Sequence, residues 1–560
     1  MDSNRRGFLH LCAGSATVAA AGCSSRTWRG DGRIDDWQYS PEDGDSWIGH
    51  TLQFEDSAPA ATDESIGLAA GGAADVGTFR RNVYEGYLPI PQSMAYEGLF
   101  HEYYFDTGGD GSCDSLFCPT YTPAVSPDPF SGEPERYLSV GLDSGLSQSE
   151  FERPALNLVI VLDISGSMRS SFNDYYYDQH GNRQRAEGGT TRPKMDVAKD
   201  ALIDLTHHLR PEDRLGVVLF ESDAHLAKPL REVERTDMDA IRGHIQEDVQ
   251  AGGGTNISAA MELSEELMAE YADADHSEYE NRSILLTDAQ INLGETDADE
   301  LRGSLQENAA QGHHTTVVGI GVDFNVDLIS QITRVRGANY YSVYSEDEFE
   351  RRLGEEFEYM VTPLVYDLSL ELDAEGYEIS QVYGSTAADE ATGELMHVRT
   401  LFPSQRTDGE AKGGVVLVKV DRTAETSETE ATLSATWHTR DGSEASTTET
   451  ITFPSGDEVY GTDAVRKAIL LARYGTLLKN WTVYEREQTF VAEGDGIADP
   501  PADDVLGKWE QQSTPLTVSE RYDSRIRSFR EHFEAEMATI GDDDLEMELD
   551  LMAAILSVAE

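Results

Sequence analysis

Basic charge is what this 560-residue chain has least of. Lys and Arg together number 43 against 104 acidic residues, for a formal net charge of −61, and only eight of the 43 are Lys. That deficit excludes nucleic acid and anionic membrane surfaces as partners, because the attraction to phosphate that drives such binding becomes repulsion. The acids are spread along the whole chain, with one dense patch at 541–550 (GDDDLEMELD). An even acidic coat with little Lys matches the surface of a protein from a salt-loving organism, where salt screens the self-repulsion. Long apolar runs are missing as well, so no segment is suited to crossing a bilayer. Motifs of covalent catalysis and nucleotide binding are absent. There is no Gly-x-Ser-x-Gly elbow, and no Gly-Lys-Ser/Thr follows the glycines at 252–254. Cysteine is scarce, with four in all. Cys113 and Cys118 stand in GSCDSLFCP, where a local disulfide is the simplest state in an oxidising compartment and free thiols are the alternative. A zinc site there would need two more ligands, and only His101 is near in sequence. The pairs His207-His208 and His313-His314 lack acids at metal spacing and are read as solvated or capping residues.

The N-terminus carries an address. Arg5-Arg6-Gly7-Phe8-Leu9 precedes a weakly apolar stretch, Leu11 to Gly22, and the segment resembles a twin-arginine export signal. It ends Ala20-Ala21-Gly22-Cys23, which resembles a lipobox and makes Cys23 the candidate lipidated residue. The alternative is cleavage after Ala21, leaving a soluble secreted protein. Either way the remainder is expected outside the cytoplasm, at the outer face of the membrane or the cell surface. Any contact with the membrane would run only through the N-terminal lipid.

At 560 residues about three domains are expected. After the signal (1–23), residues 24–78 show little periodic apolar signal and read as a flexible acidic linker. Apolar and aromatic residues return in a small N-terminal module at 79–150. Between 154 and 362 strands and helices alternate. The candidate strands 156–163 (LNLVIVLD), 214–221, 282–288 and 315–322 are near-continuous apolar runs, as buried parallel strands are. Helical periodicity fills 194–209, 237–249, 257–271, 298–310 and 346–360. This order predicts a multidomain α/β protein with a doubly wound, mostly parallel sheet, whose ligands bind at the carboxyl ends of the strands. From 363 to 455 the pattern alternates with turn-rich breaks, which predicts a β-sandwich of about six or seven strands. A helical region, 460–560, completes the chain.

Three clusters of small oxygen donors fall at predicted strand ends. Asp163, Ser165 and Ser167 close LNLVIVLDISGSM, Thr255 follows Gly252-Gly253-Gly254, and Thr287-Asp288 closes RSILLTD. Carboxylates and hydroxyls without His or Cys are hard donors. They suit Mg²⁺ first, with Mn²⁺ or Ca²⁺ as alternatives, better than Zn²⁺.

In these residues the chain resembles the von Willebrand factor A family, whose metal-ion-dependent adhesion site uses Asp-x-Ser-x-Ser, Thr and Asp. The wider chain resembles exported prokaryotic members with an extra N-terminal module, here Tyr87-Leu88-Pro89-Ile90-Pro91, and a C-terminal extension. The resemblance implies that Ser165 and Ser167 ligate the ion directly and that Thr255 does so when a ligand is engaged. Asp163 and Asp288 would act directly or through water. Ala289 stands where the family often has Gly, and Arg169–Pro193 is longer than usual and contains Tyr175-Tyr176-Tyr177.

The expected function is that of a non-enzymatic, surface-anchored protein whose bound divalent cation takes an acidic side chain of a partner protein. The alternatives are an envelope-assembly component with a vestigial site and a metal-dependent hydrolase.

Overall fold

The computed structural model describes residues 32–41, 65–70, 76–84, 86–108, 113, 115–148, 151–171, 176–177, 183–184, 192–272, 278–288, 295–320, 334–343, 349, 351–373, 376–385, 395–407, 409–423, 430–492 and 514–558. The export signal and Cys23 lie outside them.

The apolar runs between 154 and 362 form one six-stranded sheet. Its order is Asn339–Val343, His313–Ile320, Tyr279–Thr287, Ala155–Asp163, Arg214–Phe220, Ala224–Glu232. All neighbours are parallel except the last pair. Ala155–Asp163 shows why such a strand must be apolar at every position. Leu156, Leu158, Ile160 and Leu162 pack into one core while Val159 and Val161 pack into the core on the other face. Helices Lys194–His207 and Met238–Asp248 cover the first face, and Ile257–Met268 and Glu295–Ala310 the second. His313 and His314, expected to be solvated or capping, are instead buried in a central strand. Each is hydrogen-bonded, His313 Nε2 to Ser283 Oγ at 2.8 Å and His314 Nδ1 to Glu280 at 2.8 Å.

The regions expected as a separate N-terminal module and a separate sandwich share a second sheet of nine strands. Its order is Tyr377–Tyr383, Val415–Arg422, Pro134–Ser147, Ser65–Ala70, Leu395–Ser404, Val365–Asp373, Glu430–Thr439, Glu444–Thr452, with Cys118–Pro127 pairing on Pro134–Ser147. Three of the nine therefore precede the α/β domain in sequence, and that domain is an insertion between Pro134–Ser147 and Val365–Asp373. Alternation alone cannot reveal such a partnership, because it marks a strand's buried face and not the strand it pairs with. The sheet curls over a single core, so that Tyr377, on one edge strand, stacks on Phe453, just past the other, at 5.1 Å. Cys113 and Cys118 are joined by a disulfide beside it. The C-terminal helices Asp463–Ala492, Glu520–Ile540 and Glu546–Ser557 pack with Gly77–Tyr84 and Tyr96–His101 around another core. There the buried Glu548 carboxylate takes Arg80 and accepts from Tyr103 Oη at 2.7 Å.

The two sheets meet at the amino edge of the parallel one. Arg440 donates to Glu280 Oε2 (3.1 Å), Tyr279 O (3.1 Å) and Pro363 O (3.3 Å). Burial would raise the Glu280 pKa, but His314, Arg282 and Arg440 outweigh it and hold the group down at about 2.

The expectation of a flexible linker over 24–78 needs correction in two places. Ser65–Ala70 (SIGLAA) is a central strand of the nine-stranded sheet, too short and too rich in Gly and Ala to stand out by pattern. Residues 32–41 strap onto the edge strand Ala224–Glu232. Gln38 N donates to Ala227 O at 2.7 Å, and buried Asp36 pairs with Arg231 Nε at 2.8 Å. Trp37 stacks on His244 with centroids 5.6 Å apart, and that imidazole bridges Asp35 (3.1 Å) and Asp248 (2.7 Å).

Burial alone would lower the His244 pKa, but its bonds to Asp35 and Asp248 outweigh burial and raise it. A raised histidine stabilises fully below its unfolded value of about 6.5 and loses that contribution as pH climbs through the folded value. Hydrogen exchange of the 32–41 segment, corrected for intrinsic rates, should therefore accelerate as pH rises above about 6.5, and His244→Ala should remove the pH dependence.

Candidate metal centre

Strand Ala155–Asp163 delivers its last residue to the carboxyl edge of the parallel sheet, and the chain then turns sharply. Asp163 is fully buried, and both of its oxygens are used in fixing that turn. Oδ1 accepts from Ser165 N at 2.8 Å, and Oδ2 accepts from Thr287 Oγ1 at 2.6 Å, on the neighbouring strand. The single helical turn Gly166–Arg169 then lifts Ser167 to the surface, so that Ser165 Oγ and Ser167 Oγ lie 3.0 Å apart. Ser167 Oγ donates to Asp288 Oδ1 at 2.7 Å, and Asp288 is itself buried. Burial, and then the charge of Asp288, push the Asp163 carboxyl up to about 6.

The glycines of 252–254 form the adjoining wall. Gly252 N donates to Ile164 O at 2.6 Å, and Gly166 N donates to Gly253 O at 3.2 Å. Gly253 has φ +80°, a conformation that favours glycine, and a Cβ there would displace the Glu221 carboxylate. Arg169 Nε donates to Ala251 O at 2.7 Å and ties the two loops together. Asn256 caps helix Ile257–Met268 by accepting from Ala259 N at 3.2 Å. Thr255 sits on this wall, exposed, and among the described residues it hydrogen-bonds to none of the other four donors. The structure thus links Asp163, Ser165, Ser167 and Asp288 through direct contacts, with Thr255 on the loop beside them.

One participant was given no role by sequence reading. Lys194 Nζ lies 3.0 Å from Asp288 Oδ2, and the residue is only 2% exposed. A signal was there to be read. Lys194 opens helix Lys194–His207, the end where the helix dipole disfavours a cation, in a chain with only eight lysines. Ala289 and residues 172–175, 178–182 and 185–191 of the predicted insertion, Tyr175 included, lie outside the described residues. Tyr176–Tyr177 pairs antiparallel with Arg183–Gln184.

The residues fit a hard divalent cation. Two buried carboxylates and neighbouring hydroxyls supply oxygen donors only, and the ammonium against Asp288 shows that the site accommodates positive charge. Among the described residues no group of three or more His, Cys, Asp or Glu could hold a metal, so the hydroxyls are essential to any such centre.

A mostly parallel sheet with helices on both faces, carrying hydroxyl and carboxylate donors at its carboxyl edge, defines an α/β domain that presents its site at the strand ends. A model of the von Willebrand factor type A domain family matches residues 158–290, a span that includes all five donors and Lys194. The chain carries a von Willebrand factor type A domain, a class of module that generally mediates protein–protein interaction without catalysis and often binds a divalent metal.

The chain is 24% identical over 339 residues to the uncharacterized protein YfbK of Escherichia coli (strain K12), covering 57% of this chain and 52% of that one. It is 24% identical over 225 residues to inter-alpha-trypsin inhibitor heavy chain H4 of Bos taurus, covering 40% of this chain and 22% of that one. The chain thus spans about half the length of the first relative and about a fifth of the second. Among solved structures, a von Willebrand factor type A protein from Catenulispora acidiphila aligns with a TM-score of 0.43 at 14% identity, covering 74% of this chain and all of that one. Proximal thread matrix protein 1 from the mussel byssus, solved with zinc in its adhesion-site motif, aligns at 0.29 with 19% identity, covering 38% of this chain and 49% of that one.

Because Thr287 Oγ1 satisfies a buried carboxylate oxygen, Thr287→Val should lower metal-free stability by about 1–3 kcal/mol, read as a shift in the denaturation midpoint.

Proposed function

We propose that the protein binds a partner protein through a divalent cation, Mg²⁺ in the first instance with Mn²⁺ or Ca²⁺ as alternatives. Asp163, Ser165, Ser167, Thr255 and Asp288 would hold the ion. The observation that carries this reading is the contact chain from Asp163 through Ser165 and Ser167 to Asp288 at the sheet's carboxyl edge, with its outermost hydroxyl at the surface. A bound cation would offer an open coordination position to an acidic oxygen from the partner. The chain's own residues do the rest. Asp163, fixed by Thr287, sets the floor of the site, and the exposed residue Ser167 holds its hydroxyl between Ser165 and Asp288. The loop tied by Arg169 keeps Thr255 alongside.

A second reading, an envelope-assembly component with a vestigial site, draws support from Lys194, whose ammonium already neutralises Asp288. A metal titration separates the two readings. The wild-type chain should bind Mg²⁺ saturably at high KCl. Chelator should abolish partner capture from native membranes, and Asp163→Ala should reproduce the loss with the far-UV spectrum unchanged. Partner capture that survives both treatments would overturn the metal bridge.

For location, the twin-arginine pair and Cys23 support export and a lipid anchor. Among the described residues no helix is long and apolar enough to cross a membrane. Cys23→Ala should move the protein from the membrane fraction to the medium, and an unchanged distribution would favour cleavage after Ala21.

A further inference from the structure

We infer that Lys194 is a built-in counter-cation that weakens the centre's hold on its own ion and strengthens its hold on the partner's carboxylate. The inference rests on the metal reading above and concerns how that same site is regulated. Lys194 is not a surface residue that happens to reach inward. The residue is 2% exposed, and its backbone N donates to Ser170 O at 2.8 Å, directly after the turn that carries Ser167. Ser171 bridges Pro193 just before it. The loop bearing the metal motif thus fixes where the ammonium goes. Burying an ammonium is costly unless it is paired, and its partner is Asp288, the carboxylate whose other oxygen accepts from Ser167.

Formal charges give the consequence. With both carboxylates ionised, Asp163, Asp288 and Lys194 together carry −1, a divalent ion brings the site to +1, and an arriving carboxylate returns it to neutrality. Without Lys194 the same series would run −2, 0, −1. The site would grip the ion harder, and the partner's carboxylate would approach a centre that is already neutral. With Lys194 present, ion and carboxylate favour one another, so that a loaded centre lacking a partner is disfavoured. Screening by salt changes this little, because the pair is buried.

The composition points the same way. Of the seven described lysines, Lys194, Lys199, Lys228 and Lys467 are buried, and each of the seven has a partner. Lys194, Lys228, Lys412, Lys419 and Lys467 pair with acids, Lys199 donates to Gln246 O, and Lys479 lies over Tyr96. In a chain that has so few lysines, four of the seven described ones are spent on buried positions.

The test is a calorimetric titration of the full chain with MgCl₂ at pH 8 and fixed KCl, comparing wild type with Lys194→Met, Lys194→Gln and Lys194→Arg. The Met and Gln variants should bind Mg²⁺ at least about tenfold more tightly, and the Arg variant, which keeps the charge, should resemble wild type. Metal-free melting should fall in the Met and Gln variants, and Mg²⁺ should restore it by more than it raises that of wild type. If Lys194→Met fails to fold, the Gln variant carries the comparison. Affinity in the neutral variants equal to or weaker than wild type overturns the inference. If wild type shows no saturable binding but Lys194→Gln does, native metal occupancy fails while the role of Lys194 stands. If no variant binds, both fall.

Discussion

Two carboxylates held at the ends of adjacent parallel strands repel each other, and much of the local architecture answers that repulsion. Asp163 and Asp288 are both buried, where water cannot screen them. Thr287 and the turn at Ser165 satisfy one, and Ser167 and Lys194 satisfy the other. Each of these partners is placed by a backbone feature that would be hard to form otherwise. A short helical turn sets Ser167, a helix start sets Lys194, and a glycine with positive φ closes the opposite wall. Relieving the repulsion and building a cation centre are therefore the same structural problem.

Far from that edge, a second buried acid does a different job. Glu280 sits at the amino end of the strand that finishes at Thr287, so one strand has a charged joint at each end. At the lower joint Arg282, His314 and Arg440 leave Glu280 ionised, and Arg440 belongs to the other sheet. The upper joint is open to solvent at Ser167, whereas the lower one is closed by protein. Charge at the closed end joins two domains, whereas at the other end the exposed Ser167 lies over the buried acids.

The parallel sheet was legible because its strands are buried on both faces, and LNLVIVLD can hardly be anything else. Its edge strand Ala224–Glu232 (AHLAKPLRE) was not singled out, since an edge carries Lys, Pro and Arg that break the apolar run. The nine-stranded sheet was half legible. Alternation announced strands after 363, but nothing local shows that SIGLAA, more than 300 residues upstream of its partner Leu395–Ser404, belongs among them. The donors were legible as residue types at strand ends. Their grouping at one sheet edge was expected from the strand order and the family resemblance, whereas Lys194 was not, because its place depends on a loop path that periodicity does not describe. Lysine scarcity was legible and was read only as a surface property, while its counterpart, the interior use of the lysines that remain, needed the contacts.

The insertion of the α/β domain into the second sheet also has a mechanical side. The chain enters at Ala155, which pairs with Tyr279, and leaves past Pro363, whose carbonyl shares the Arg440 guanidinium with Tyr279 O. Both covalent connections therefore emerge at the edge opposite Asp163 and Asp288. A pull applied at that carboxyl edge would travel down the strands and divide between two tethers sewn into one sheet, so that neither bears the whole load. A domain hung by a single linker would swing and take the full tension in one strand of chain. This one is mounted like a bracket with two bolts.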